Sequence, residues 1–529
     1  CETLLKIYNL YFDLKEMNPQ ISNYVGKRKL QQLLKSKRSS GILLHITSLP
    51  GPYGIGEIGK EAKLFIDNLA DMGQQYWQIL PTNNPETCNS PYDTNSAFAQ
   101  NPFLISLDGL IKDRLLIRED LDPIPNFKTK IIEYKKLKNW KSSILSKAAT
   151  NFLNKEENLL LDKYNNFCSQ NDFWLNNYAL FMVIKEMQNN RKWSEWEEQY
   201  KFLNLESLSK VSEKYTREIE EIKVLQFLFH EQWQRLKTYA ARKDIKLIGD
   251  IPIYISFNSA DVWTNQSLFK LDEECQMLFQ SGCPPDHFMA SGQLWGHPIY
   301  DWNKHEETDF SWWSNRIRHL MKYVDVIRVD HFNGFAKYWE VPAGDSNAVK
   351  GKWEKAKGLE LLEKVFKENH NLVLIAEDLG EAAEDAKLIR DKFDIPGMDV
   401  LQYVFYNDEL PNQFKKNTVL YTGTHDNDTL NGWYNTLANE ISKSHKNNIS
   451  KFLDLENKDL HWSMIEYSLQ SRAMMVMIPV QDLLGLGSES RMNTPGTISD
   501  QNWSWRMEPD LLKDSLIKKM KLITKEAKR

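Results

Sequence analysis

Three short apolar, β-branched runs in this chain each end in a carboxylate. Residues 325–335 read DVIRVDHFNGF, residues 371–380 read NLVLIAEDLG and residues 418–429 read TVLYTGTHDNDT, with Asp330, Glu377 and Asp426 as the acids. Runs without polar alternation suit strands covered on both faces, as in parallel sheets. Such strands with acids at their carboxyl ends are how a parallel β/α barrel assembles an active site.

Eight strand-like segments follow one another: residues 41–46, 76–80, 246–253, 325–330, 372–378, 398–405, 418–423 and 474–480. Helical patterns lie between several of them, for example over residues 60–73 and 382–393. The alternation predicts an α/β fold, a (β/α)8 TIM barrel with inserted, largely helical subdomains. The barrel is expected over residues 41–529, behind a helical extension over residues 1–40. That extension carries the basic stretch GKRKLQQLLKSKR and lacks the apolar core of a secretory signal. About 165 residues separate the second strand from the third. A structureless loop of that length is improbable, so a helical insertion is expected over about 106–240. A second insertion, about 258–315, holds SGCPPDHFMASGQLWGHPIYDW and reads as a fixed irregular loop.

Composition narrows the partners. A net charge of −5 over 529 residues argues against nucleic acid or an anionic membrane surface, and no apolar run is long enough to span a bilayer. Five cysteines with irregular spacing and no CxxC predict reduced thiols in a cytosol-like compartment; bacterial cytoplasm and plastid stroma both fit. The first residue is Cys1 rather than Met, which reads as a trimmed or partial product. No His/Cys cluster suggests a metal, and no cofactor is expected.

The acids point to glycosidic chemistry. Cleavage with retention needs a carboxylate nucleophile and a carboxylic acid about 5–5.5 Å apart, and neighbouring strands lie about 4.8 Å apart. Asp330 and Glu377, at the ends of consecutive barrel strands, can reach that separation. Arg328 shares strand parity with Asp330, so both face the same side of the barrel mouth, where the guanidinium keeps the carboxylate ionised. Glu377 must start protonated, which an apolar surrounding and nearby anions would favour. Asp426, next to His425, is placed to stabilise an oxocarbenium-like transition state.

RVDHF, IAEDLG and THDN resemble the catalytic segments of the α-amylase clan. More specifically, the chain resembles the amylomaltase or disproportionating-enzyme family, the 4-α-glucanotransferases. The resemblance runs from about residue 40 to 506 and includes SGILLHITSLPGPYGIGEIG, NSPYDTNSAFAQNP, GDIPIYISFNSADVW, GQLWG and QDLLGLGSESRMNTPGT. It implies a covalent glycosyl ester on Asp330, acid/base work by Glu377 and transition-state stabilisation by Asp426. It implies substrate contacts from Ser90 and Tyr92 in the SPY segment. Asp250, Arg328, His331 and His425 would line the cleavage subsite, Gln293 and Trp295 would sit on an acceptor-side loop, and Asn493 would contact the glucan. The implied partners are α-1,4-glucans and maltooligosaccharides, with glucose as an acceptor. The chain departs from the family pattern at Asn258, where Asp is usual, at His297, where Asn is usual, and at Cys283, where a small apolar residue is common. Two other readings share these residues: a hydrolase of the same clan, and a non-catalytic glucan-binding barrel.

Overall fold

The computed structural model describes residues 37–529, apart from 87, 156, 286–289, 381–382, 407–413 and 438–440. The expected helical extension therefore lies almost wholly outside the described residues. Eight parallel strands form one sheet: β1 (Ser39–Leu43), β2 (Tyr76–Gln78), β3 (Lys246–Pro252), β6 (Val326–Asp330), β9 (Leu374–Ala376), β10 (Gly397–Val400), β11 (Thr418–Tyr421) and β12 (Met475–Pro479). Their order is β10-β11-β12-β1-β2-β3-β6-β9. The Ala376 N–H donates to the Pro396 carbonyl at 2.9 Å, joining the two ends of that order and closing the barrel.

Two packed layers hold it. Tyr76, Ile248, Val326, Ile375, Val419, Tyr421, Met475 and Met477 form one buried cluster drawn from strands all round the sheet, the filling of the barrel. The opposite strand parity meets the surrounding helices. In the helix Lys60–Asp71, Ala62, Phe65, Ile66 and Leu69 are buried; the spacing of three and four puts them on one stripe. Residues 74–75 leave this helix through Gly73, at φ 74°, a left-handed turn suited to glycine.

Between β2 and β3 the chain is mostly helical and ends in the helix Thr216–Arg242, whose Val224, Phe227, Leu228 and Leu236 are buried. Two glutamines on this helix clamp the segment that follows the SPY motif. Gln226 exchanges bonds of 2.7 and 2.9 Å with the Gln100 backbone, and Gln232 bonds of 2.7 and 3.1 Å with the Ser106 backbone.

Two elements differ from the sequence reading. Residues 398–405 do not form one strand: β10 stops at Val400 and the helix Leu401–Val404 follows. The apolar run serves both elements, and Gln402 anchors the helical half by donating to the Asp428 carbonyl at 2.7 Å. The region expected as an irregular loop contains β4 (Phe279–Cys283) and β5 (Gln293–Pro298), which join β7 (Lys337–Pro342) and β8 (Lys352–Lys355) in an antiparallel sheet ordered β5-β4-β7-β8. Gly282 permits that pairing, since a Cβ there would lie 2.4 Å from the Gln293 carbonyl.

Candidate active site

Strand parity carries the polar residues out of the barrel's interior. Ile248, Val326 and Ile375 belong to the filling. Asp250 lies two residues beyond the first, Arg328 and then Asp330 beyond the second, and Glu377 beyond the third, so each faces the same interior nearer the carboxyl end. Asp250 pairs in register with Arg328, and Pro252 with Asp330. The Arg328 guanidinium then becomes the centre of the site. Its Nη1 donates to Asp250 Oδ2 at 2.5 Å and to Asp330 Oδ1 at 3.1 Å, while Nη2 lies 3.7 Å from Glu377 Oε2. Asp250 is fully shielded and also accepts from the Tyr92 hydroxyl at 2.8 Å. Burial pushes the Asp250 carboxyl up and Arg328 counters it.

Glu377 sits immediately after β9. Its N–H donates to the Val329 carbonyl at 3.1 Å, and its own carbonyl accepts from the Phe332 N–H at 3.0 Å. Its carboxyl accepts from the His331 N–H. His331 has φ 50°, a left-handed conformation that turns the chain sharply after β6 and aims this N–H at the acid. Burial raises the Glu377 pKa to about 8, with Asp330 and Asp250 adding to the rise; Arg328 and the His331 N–H oppose it without cancelling it. A carboxyl in that state is protonated at neutral pH.

Asp426 lies beyond β11 on a tight turn. The Asn427 side chain accepts from the Thr424 N–H at 2.9 Å and hydroxyl at 2.8 Å, and the Asp426 N–H donates to the Thr424 hydroxyl at 3.2 Å. Below the turn, buried Asp482 accepts from the Thr422 hydroxyl at 2.7 Å and the Leu430 N–H at 2.8 Å. Asn493 donates to Asp426 Oδ1 at 2.7 Å, His425 Nε2 stands 3.3 Å from Oδ2, and Arg491 donates to the Asp426 carbonyl at 2.9 Å. Burial favours the neutral acid here too. The His425 charge and the bonds from His425 and Asn493 outweigh it and bring the Asp426 pKa down to about 2. His425 is held above its ordinary value by Asp426 in spite of its own burial.

Aromatic rings join these two acid groups. Tyr92 stacks on His425 with centroids 5.0 Å apart and planes 16° apart, and Trp503 lies 5.7 Å from the first ring and 5.9 Å from the second. Ser90 supports Tyr92 from behind: its hydroxyl accepts the Tyr92 N–H at 3.2 Å, and it bonds to no carboxylate among the described residues. On the other side, Trp295 meets His331 edge to face at 4.8 Å and donates to Gln293 Oε1 at 3.2 Å. Gln293 and Trp295 belong to a strand, β5, and not to the loop that the sequence suggests. His297 lies on the same strand, where burial lowers its basicity. Asn258 donates to Glu86 and accepts the Trp193 N–H at 3.2 Å. An Asp there would set a second carboxylate against Glu86. Cys283 ends β4, beside the Gly282 crossing.

All twelve sequence-derived residues therefore have a place. Arg328 gathers Asp250, Asp330 and Glu377; Asn493 and His425 hold Asp426; Tyr92 touches both groups; Trp295, Gln293 and His331 form a flank; Ser90 stays behind Tyr92. Sequence reasoning missed Arg491, Asp482 and Trp503 as supports. Arg491 and Asp482 lie inside one of the quoted motifs, QDLLGLGSESRMNTPGT, which was the available hint; Trp503 had none. Among the described residues no group of three or more His, Cys, Asp or Glu side chains is arranged to hold a metal ion.

The sequence matches the family model described as 4-alpha-glucanotransferase over residues 44–513. The chain belongs to the 4-alpha-glucanotransferase family. It is 42% identical over 496 residues to a 4-alpha-glucanotransferase of Synechocystis, covering 92% of this chain and 97% of that one. To the chloroplastic/amyloplastic 4-alpha-glucanotransferase of Arabidopsis thaliana it is 40% identical over 490 residues, covering 91% and 84%. Among solved structures, the amylomaltase of Streptococcus agalactiae in complex with acarbose superimposes with a TM-score of 0.89 at 36% identity, covering 93% of this chain and all of that one. The amylomaltase of Corynebacterium glutamicum shares the fold, with a TM-score of 0.74 at 17% identity, 93% of this chain and 76% of that one. Membership of the 4-alpha-glucanotransferases makes this chain an enzyme of the transferase class.

Proposed function

We propose that this 4-alpha-glucanotransferase moves a maltooligosaccharide segment from one α-1,4-glucan to the 4-hydroxyl of another glucan or of glucose, through a covalent ester on Asp330. The observation that carries this reading is the geometry of one barrel mouth: Arg328 holds Asp330 at 3.1 Å and lies 3.7 Å from Glu377, whose pKa is raised to about 8, while Asn493 and His425 hold Asp426, whose pKa is lowered to about 2. That is the arrangement a retaining glycosyl transfer needs, an acid ready to give its proton beside a fixed negative charge.

The steps follow from the groups present. The Asp330 carboxylate attacks the anomeric carbon while the bond to the leaving 4-oxygen breaks. That oxygen takes the Glu377 proton, leaving Glu377 ionised. Positive charge on the sugar ring peaks between the two events, where Asp426 opposes it. The acceptor's 4-hydroxyl then gives its proton to Glu377 and attacks the ester, and Asp330 leaves as the carboxylate. Arg328 stays bonded to Asp330 and Asp250 and so fixes the nucleophile's position. Trp295, against His331, would hold the acceptor and keep water from the ester. Glucan substrates fit a role in maltose use or in starch and glycogen turnover, in a bacterial cytoplasm or a plastid stroma.

Incubation with maltotriose tests the reading. Transfer yields glucose together with longer maltooligosaccharides. Maltose and glucose alone would make the protein a hydrolase, and unchanged maltotriose would make it a binder.

A further inference from the structure

A second cavity, of about 260 Å³, opens between the helix Asp172–Met187, the helix Ala260–Thr264 and the helix Ser311–Met321. None of its lining residues belongs to the site described above. Four of its fifteen lining residues are aromatic: Phe173, Trp174 and Trp312 gather round Phe98 at centroid distances of 5.3, 6.1 and 6.1 Å. Phe173 keeps 45% of its surface exposed at this opening, although its neighbour Trp174 is buried. The rim is neutral and polar. The side chains of Asn177, Ser267 and Ser311 line the cavity and make no hydrogen bond among the described residues.

Charge decides what such a cavity takes. No Lys or Arg lines it, so an anion finds no counter-charge. Its one carboxylate, Asp261, is buried and already accepts the Ala97 N–H at 2.8 Å, so a cation finds little either. The exposed Phe173 ring, backed by the buried Phe98, Trp174 and Trp312, together with uncharged amide and hydroxyl groups fits a ligand that is apolar on its ring faces and hydroxylated round its edge. The volume, about 260 Å³, falls just below the range of drug-sized ligand sites, about 300–1,000 Å³, and suits one or two sugar rings.

We infer that this cavity is an auxiliary binding site for one to two glucosyl units of a long α-glucan, which tethers the polymer while another part of it is processed in the barrel mouth. The inference rests on the α-glucan reading above. A tether acts by effective concentration: it helps a chain long enough to reach both places and does nothing for a trisaccharide.

The test uses the full chain with Asp330→Asn to stop turnover, and maltoheptaose as the probe in titration calorimetry. Phe173→Ala, or Ser267→Trp to fill the cavity, is expected to reduce the number of binding sites by one. In the otherwise intact enzyme the same changes raise KM for amylose by roughly five- to tenfold, the size of a modest tether, with maltotriose turnover and melting temperature unchanged. Isotherms that do not change with either substitution overturn the inference. So does an equal loss on amylose and maltotriose in both variants. An intact enzyme that leaves maltotriose untouched defeats the transferase reading instead; one that disproportionates maltotriose but shows no cavity-dependent site defeats the tether alone.

Discussion

Glu377 and Asp426 stand at the carboxyl ends of strands in the same barrel, with 20% and 44% of their side-chain surface still exposed in its mouth, yet their protons behave oppositely. Glu377 faces two anions, Asp330 and Asp250, and shares with them a guanidinium that lies 3.7 Å away and is bonded more closely to the others. Asp426 faces a histidine held above its ordinary pKa and a direct amide donor at 2.7 Å. Burial raises both acids; the neighbours decide the sign. A shared cation leaves one acid protonated, and dedicated donors leave the other ionised.

The largest effect is expected from removing the reacting groups of the first cluster. Asp330→Asn should lose on the order of 10³-fold or more in turnover with the fold retained; a purified variant keeping more than about a tenth of the activity breaks the assignment. Glu377→Gln should stop normal turnover and still form the ester slowly from a glucosyl fluoride, whose leaving group needs no acid. Mass spectrometry of peptic fragments should then find the adduct on Asp330, and an adduct on Glu377 in the unmodified enzyme would reverse the two roles.

Weakening the second cluster should cost less. Asn493→Ala removes one hydrogen bond to a charged oxygen, about 1.5–3 kcal/mol, so kcat should fall roughly tenfold to a hundredfold. The acid limb should also move upward, because the ionised form of Asp426 loses a donor. An unchanged kcat would show that His425 alone suffices.

A smaller effect sharpens the contrast through pH. Glu377 acts first as the acid, so kcat/KM should hold below about 8 and fall as pH rises through it. Asp250 is one of the anions that raise this pKa. Asp250→Asn should therefore move the basic limb to lower pH, besides reducing the rate through the lost Tyr92 and Arg328 contacts. A basic limb that stays in place would mean that another group sets it.

The smallest expected effect concerns partitioning. Trp295→Ala should raise the ratio of new reducing ends to transfer products while donor cleavage changes little. A lower melting temperature with an unchanged ratio would assign Trp295 to packing against His331 and against Tyr254, whose ring centroid lies 6.0 Å away.

Much of this site is legible in the amino-acid sequence. Asp330, Glu377 and Asp426 announce themselves because each closes an apolar run, and the parity of Arg328 with Asp330 is a property of any strand. The supports are harder to see. Asp482 lies 60 residues from Thr422, and Arg491 lies 65 residues from Asp426; no local periodicity links such partners. Trp503 packs, tilted, against the rings of Tyr92 and His425 from two distant loops. β4 and β5 are hidden because Gly282, Gly292 and Gly296 mark loops in a sequence, whereas in the fold Gly282 allows two backbones to cross closely.

What the sequence determined by itself is local: which runs become strands, which side chains share a face, and which acids end those strands. Those depend on neighbours one to four residues away. The tertiary structure decided the charge states. Asp250 reaches Arg328 across 78 residues of chain, and only a closed barrel brings that aspartate, Asp330 and Glu377 round one guanidinium. Whether a carboxyl is ionised depends on the field at its atoms, and that field is set by groups that the chain holds far apart until it folds.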